Sequence, residues 1–341
     1  MSEPLAIEIR NLYKIFGARP RAHVDAVRQG MTKAQLNERH RHVLGLRDIN
    51  LSVAPGSIQV VMGLSGSGKS TLIRHINRLI EPTVGEIVID GRDVVTMTPA
   101  ELRRFRRLQT AMVFQKFALL PHRTVLDNVS YGLEVQGVAR ADRHRTAMRW
   151  VQRVGLGGYE TRYPSQLSGG MQQRVGLARA LANDAPILLM DEAYSALDPL
   201  IRHDMQTVLL DLQKEVRKTI VFITHDFDEA LRIGDRIALL RDGSIIQQGT
   251  GQEMVLRPAD DYVSSFVQHV DRARIVRVDS VMLPLTDDAG GPRVGATTSL
   301  GEAIRTMSAE GSDRVTVLDE GGRPVGTVPM TRAVAVAAGG S

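Results

Sequence analysis

Eight consecutive residues constrain this chain more than any others. Gly63-Leu64-Ser65-Gly66-Ser67-Gly68-Lys69-Ser70, followed by Thr71, match the phosphate-loop pattern at every fixed position. The octapeptide follows an apolar run, Ile58 to Met62, and opens an amphipathic segment, Lys69 to Leu79, so the order is strand, turn, helix. Glycines let a backbone wrap closely enough for successive N–H groups to face phosphate oxygens, and the helix N-terminus adds positive potential. Lys69 is expected to reach the β- and γ-phosphates, and Ser70 to ligate Mg²⁺. A chance match in a chain this long is about a one-in-a-hundred event. Alone, the pattern implies nucleotide binding and no particular chemistry.

Composition narrows the setting. The 341 residues are 43% apolar and 24% charged, enough for sizeable cores and for two domains or one large domain with an appendage. With no Cys there are no disulfides, thiolate metal sites or cysteine nucleophiles, which fits a reducing compartment. Met1 to Arg10 has no apolar run of leader length, and no apolar run approaches the roughly 18 residues that span a bilayer. Work on a membrane is therefore expected to pass through a partner. The net charge of +5 is spread among mixed signs, which reads as a solvated surface, and no specific nucleic-acid partner is expected.

The pattern along the chain is α/β. Ala6 to Arg10 and Arg47 to Val53 read as strands around a charged, helix-prone insert, residues 19–42, with Val24, Val27, Met31 and Leu36 as its apolar positions. A polar, Arg-rich stretch from Pro99 to Arg107 precedes a strand, Ala111 to Phe114. Helical periodicity over Val125 to Val135 and Ala141 to Val154 suggests a separate lobe, about 116–170. Alternation then resumes: helix Gly170 to Ala182, strand Ile187 to Met190, helix Pro199 to Val216, strand Thr219 to Ile223. This predicts a mainly parallel sheet covered by helices. Past Asp271, short strands, one helix and turn clusters at Asp287 to Pro292 and Glu320 to Pro324 predict a second, small domain, 272–341, after a first of 1–271.

In Ile187-Leu188-Leu189-Met190-Asp191-Glu192, four apolar residues deliver two carboxylates to a strand's C-terminal end, where α/β sheets bind ligands. Asp191 is expected to hold Mg²⁺ and Glu192 to polarise an attacking water. Leu167-Ser168-Gly169-Gly170-Met171-Gln172-Gln173-Arg174 lies upstream, before a helix start. Here the chain resembles the ABC ATPases, whose defining signature this is, with Met171 in place of Gln. The resemblance implies that Ser168, Gly169 and Gly170 of one subunit close over the γ-phosphate on another, so that two chains complete each ATP site. Three further elements fall where that family has them: Gln115, the Ser195-Ala196-Leu197-Asp198 loop, and His225. The implied roles are a Mg²⁺ and water sensor for Gln115, an interface residue for Asp198 and a γ-phosphate switch for His225. The family's adenine-stacking aromatic corresponds better to Phe16 than to Tyr13.

Leu12-Tyr13-Lys14-Ile15-Phe16-Gly17, Gly63-Leu64-Ser65, Phe117-Ala118-Leu119-Leu120-Pro121-His122 and Ala196-Leu197-Asp198-Pro199-Leu200-Ile201-Arg202 together resemble the glycine betaine/proline importer ATPases, over roughly Ile7 to Asp271. That implies a P-loop NTPase fold with an antiparallel β subdomain and a helical lobe. It also implies a homodimer at the cytoplasmic face of the cell membrane, gripping an integral-membrane permease that a solute-binding protein feeds. Phe117, Leu119 and Leu120 are candidate permease contacts or candidates for packing the lobe onto the sheet. The alternatives are an importer for another small solute such as an amino acid (histidine), and a soluble ABC-type ATPase acting on nucleic acid or ribosomes. Ser299 to Met307, Arg314 to Leu318 and Pro324 to Val328 resemble one CBS unit, a regulatory module paired in that family. Its adenosyl-binding ending departs here, reading Gly326-Thr327-Val328-Pro329-Met330-Thr331-Arg332 without the family's Asp.

Overall fold

The computed structural model describes residues 6–115, 117–195, 197–285 and 290–339. Ala196 of the loop before Asp198, and Asp287 and Asp288 of the expected turn cluster, lie outside the described residues. The chain forms two compact units, Met1–Gln248 and Gly249–Ser341.

The first unit opens with β1 (Ile7–Phe16) and β2 (Val43–Val53), both longer than the expected strands. Asn11 at φ +47 and register shifts after Ile9 break the period-2 alternation, so the sequence pattern marks only the first half of β1. Between them, the insert folds as α1 (Val24–Arg28) and α2 (Lys33–His40), the latter started by a Thr32/Gln35 capping box. Val24, Val27 and Leu36 bury themselves against Tyr13, Ile15 and Leu44, so the insert has its own small core.

Next come β3 (Ile58–Met62), α3 (Lys69–Ile76), β4 (Val84–Ile89) and β5 (Arg92–Asp93). The Arg-rich stretch, to which the sequence pattern assigns no element, forms a helix, α4 (Pro99–Leu108). Its start was legible in Thr98 as cap, Pro99 at the first position and Glu101 closing the box, and it buries Leu102 and Phe105. After β6 (Thr110–Val113), the lobe comprises α5 (Val125–Val135) and α6 (Arg140–Arg153), on which α7 (Gly169–Ala182) packs. Val125, Val129, Ala147, Val151, Val175 and Ala178 share that core, and Leu119 packs against it. Then come β7 (Ile187–Asp191), α8 (Pro199–Val216), β8 (Thr219–Thr224), α9 (Phe227–Ile233), β9 (Arg236–Arg241) and β10 (Ser244–Gly249), the last residue of which begins the second unit.

Two sheets result. One has the order β2-β1-β4-β5 with antiparallel pairing, and the other the order β10-β9-β3-β8-β7-β6. In the second, β9, β3, β8, β7 and β6 pair in parallel, and β3, β7 and β8 are buried along their whole length, as two-sided coverage requires. Leu72, Ile73 and Ile76 of α3 join residues of both sheets in one core. That core fixes the start of α3 beside the ends of β7 and β8.

His75 of α3 is fully buried, with Nδ1 donating to the Thr71 carbonyl at 2.7 Å. Burial pulls its pKa from 6.5 down to about 4. The folded state therefore binds fewer protons than the unfolded chain between these values. The associated stability is present above pH 6.5, is lost as pH falls towards 4, and amounts to about 3 kcal/mol for this one group. Denaturant midpoints measured from pH 7 to pH 4 should fall more steeply for the unaltered chain than for His75→Gln, and equal slopes would remove His75 from the acid response.

The second unit contains α10 (Gly251–Leu256), α11 (Asp261–Val267), α12 (Arg272–Ile275), β11 (Leu283–Pro284), β12 (Arg293–Gly295), α13 (Leu300–Glu310), β13 (Arg314–Leu318), β14 (Pro324–Pro329) and α14 (Met330–Ala337). Its sheet order is β11-β14-β13-β12. Within this unit α10 packs on α11 and α12. Among the described residues, no helix is long and apolar enough to cross a membrane.

Candidate active site

The loop from Gly63 to Gly68 is shaped by positions that only glycine fills at low cost. Gly63 has φ +146, and a Cβ there would lie 2.2 Å from the Leu240 carbonyl oxygen. Gly66, at φ +78, faces open space. Lys69, the first residue of α3, is buried and donates Nζ to the carbonyls of Gly63 at 2.8 Å and Leu64 at 3.0 Å. Burial lowers its pKa, and the nearby Glu192 and Asp191 carboxylates oppose that shift. The backbone N–H groups of Gly66, Gly68, Lys69, Ser70 and Thr71 have no acceptor among the described residues, and Ser67 Oγ is buried without a partner. A cradle of free donors at a helix N-terminus fits a polyphosphate.

Asp191, fully buried at the end of β7, accepts from Ser70 Oγ at 2.8 Å and pairs with Arg74 at 3.2 Å. Arg74 was absent from the sequence reading, although it stands four residues after Ser70 and so shares its helix face. Ser70 and Asp191 supply hard oxygen donors side by side, which suits Mg²⁺ completed by phosphate oxygens and water. Glu192 follows at φ +48, a left-handed conformation that costs a non-glycine residue about 1–2 kcal/mol. The turn aims its side chain at two other predicted residues. Gln115 Nε2 donates to Glu192 Oε2 at 2.8 Å, and His225 Nδ1 lies 3.8 Å from the same oxygen. Residues from the ends of β6, β7 and β8 thus converge on the start of α3.

The remaining expected residues stand apart from this group. Ser168 is exposed and caps α7, accepting from Met171 N at 3.3 Å, and neither it nor Gly169 or Gly170 hydrogen-bonds to Lys69, Ser70 or Asp191. Asp198 is exposed and caps α8 through Ile201 N at 3.1 Å. Leu64 and Ser65 are exposed on the loop. Lys33 of the insert reaches the loop, with Nζ 3.5 Å from the Gly66 carbonyl, a contact absent from the sequence reading.

Phe16 is 40% exposed at the end of β1. Lys14 Nζ sits 4.9 Å from its ring centroid, and the ring lies against Gly45, where a Cβ would come within 2.7 Å of it. A base stacking on the face that Lys14 covers would displace the ammonium from it. Phe16→Ala is expected to weaken ATP binding about tenfold, on the scale of base–aromatic stacking, and to leave inorganic triphosphate unaffected. Equal losses for the two ligands, measured by calorimetry, would count against stacking.

Comparison with known proteins agrees with this geometry. A family profile described as ABC transporter matches residues 46–195. The chain is 52% identical over 309 residues to the glycine betaine transport ATP-binding protein OpuAA of Bacillus subtilis, covering 90% of this chain and 74% of that protein. It is 44% identical to the trimethylamine N-oxide transport system ATP-binding protein TmoW of Ruegeria pomeroyi, covering 94% of each. A solved dimeric ATP-binding cassette in a post-hydrolysis state, bound to ADP and Pi, superposes with TM-score 0.63 at 32% identity, covering 72% of this chain and 98% of that one. A phosphate cradle, an adjoining Ser70–Asp191 pair and a Glu192 held by Gln115, on a chain this similar to transport ATP-binding proteins, place it in the ABC transporter family as one of its ATPases.

Proposed function

We propose that two copies of this chain bind ATP between the Gly63–Thr71 cradle of one and the Ser168–Gly170 turn of the other, and that hydrolysis drives uptake of a small methylated amine through a separate permease. The observation that carries the paired reading is the split of the predicted residues. Lys69, Ser70, Asp191, Glu192, Gln115 and His225 gather within one chain, while Ser168 stands exposed at an uncommitted helix N-terminus. Such a terminus presents free N–H groups and positive potential to an anion arriving on another surface.

Within the site, Lys69 and the free N–H groups bind and orient the phosphates. Glu192 takes the proton of the attacking water, with Gln115 fixing the carboxylate's direction and His225 facing the γ-phosphate side. Mg²⁺, when bound at Ser70 and Asp191, supplies charge neutralisation of the phosphate oxygens. Asp198, exposed at the start of α8, is an interface residue in this arrangement.

The solute class follows from the relatives, whose printed names specify glycine betaine and trimethylamine N-oxide. Glycine betaine is the first choice, and trimethylamine N-oxide is the second because that match extends over 94% of both chains. The second unit is proposed as a single CBS-like regulatory element, on the resemblance of α13, β13 and β14. The protein acts at the cytoplasmic face of the membrane, held there by its permease, which receives solute from a binding protein. Reconstitution with the permease and binding protein should give ATPase stimulation by glycine betaine or trimethylamine N-oxide and none by histidine. Stimulation by histidine alone would overturn the solute assignment, and salt-sensitive RNA or DNA binding without a permease requirement would overturn transport.

A further inference from the structure

Helix α7 carries two side chains with no part in the site as described, and both hold backbone carbonyls of the site's own loops. Gln173, 2% exposed, donates Nε2 to the Glu192 carbonyl at 3.4 Å. Arg179 donates to the Ala118 carbonyl at 2.7 Å and to the Phe117 carbonyl at 3.0 Å. At about 100° per residue, the two side chains leave the helix roughly 120° apart, so α7 is gripped from two sides.

The Arg179 contacts fall on an unusual backbone. Phe117 and Ala118, just past Gln115, adopt φ +27 and +49, and consecutive left-handed residues persist only where their surroundings over-determine them. Gly176 of α7 lies against this backbone, where even a Cβ would stand at ordinary contact distance, 3.6 Å, from the Phe117 carbonyl oxygen. Arg179 directs hydrogen bonds to these two carbonyls, and burial lowers its pKa. Its fixed fork matches two adjacent carbonyls.

These bonds close a ring. The Gln115 side chain binds the Glu192 side chain, the Glu192 carbonyl is held by Gln173, and Arg179 at the other end of α7 holds the segment leading back to Gln115. The N-terminus of the same helix is the Ser168 turn. We infer that Gln173 and Arg179 are positioning residues that make α7 a tie between a chain's own catalytic loops and the turn it offers to its partner's ATP, so that the two ATP sites of a pair are coupled. The inference rests on the paired reading above. Coupling of this kind needs a physical element that both sites bias, and α7 touches both: it is bonded to one site's loops and carries the turn offered to the other.

The test uses the full chain in solution, with ATP turnover followed against ATP concentration and affinity followed with a fluorescent ATP analogue. The unaltered chain should show a Hill coefficient above 1. Arg179→Ala should bring it to 1 and lower kcat about tenfold, the scale of a hydrogen bond from a charged group, with analogue affinity unchanged. Arg179→Lys, which keeps a donor, should recover much of kcat and cooperativity, and Gln173→Leu should reproduce the loss from the other end of the helix. If Arg179→Ala does not fold, the lysine and leucine variants decide on the same readouts. Unchanged cooperativity in folded variants would overturn the tie while leaving the paired reading intact. Affinity falling in step with kcat, with no rescue by lysine, would reduce Arg179 to scaffolding. Hyperbolic turnover by the unaltered chain would overturn the tie, and a hydrolysis-blocked chain that stays monomeric with Mg-ATP would remove the paired reading beneath it.

Discussion

Glu192→Gln should lower steady-state ATP turnover by about 10²- to 10⁴-fold, the usual range for loss of a general base, while ATP binding stays near that of the unaltered chain. The amide keeps the shape of the side chain and an oxygen able to accept from Gln115 Nε2, now 2.8 Å away. What disappears is the negative charge and the basicity. Because the Glu192 backbone stands at φ +48, its side chain is aimed by the turn and not by its charge, so the substitution leaves the aim intact. With hydrolysis blocked and Mg-ATP saturating, the paired form should accumulate on size-exclusion chromatography. Phosphate release at the unaltered rate would remove Glu192 as base, and a chain that stays monomeric even beside its permease would sink the paired site.

Lys69→Ala acts on binding instead. Removing a buried ammonium's bond to phosphate is worth about 1.5–3 kcal/mol, or roughly 10- to 150-fold in the ATP dissociation constant. A second effect adds to this. Lys69 is the cation that the Asp191 and Glu192 carboxylates favour in its charged form, so its loss leaves two acidic groups facing an incoming polyphosphate. The lysine also ties the Gly63 and Leu64 carbonyls, so the empty loop should loosen, measurable as faster amide exchange confined to that segment. Unaltered affinity by calorimetry would mean that Lys69 serves the loop and not the phosphates.

Much of this site was legible because its parts are local. A glycine pattern between an apolar strand and an amphipathic helix defines a phosphate cradle within nine residues, Gly63 to Thr71. Four apolar residues before Asp191 define a buried strand ending in carboxylates. The long helices α5, α7 and α8 lie within a residue of their expected bounds because Thr124, Ser168 and Asp198-Pro199 mark where each one starts. Where alternation is interrupted, as by the bulge at Asn11 in β1, the pattern understates the strand. Where the helix signal lies in caps instead of apolar content, as in α4, composition alone hides it.

The contacts that align the site could not be read in this way. Arg74 meets Asp191 across 117 positions, Gln115 meets Glu192 across 77, and Arg179 reaches Ala118 across 61. Such pairs have no local signature, since each arises only when β6, β7 and β8 lie side by side and α7 crosses beside them. The insert is a similar case: its apolar residues were visible, but not that they would cover Tyr13, Ile15 and Leu44 and bring Lys33 to Gly66. The sequence by itself determined which chemical groups this protein owns and the local backbone that presents them. Only tertiary structure decided which of them share a site, because burial and sheet order, not spacing along the chain, set the distances over which a proton or a phosphate is handled.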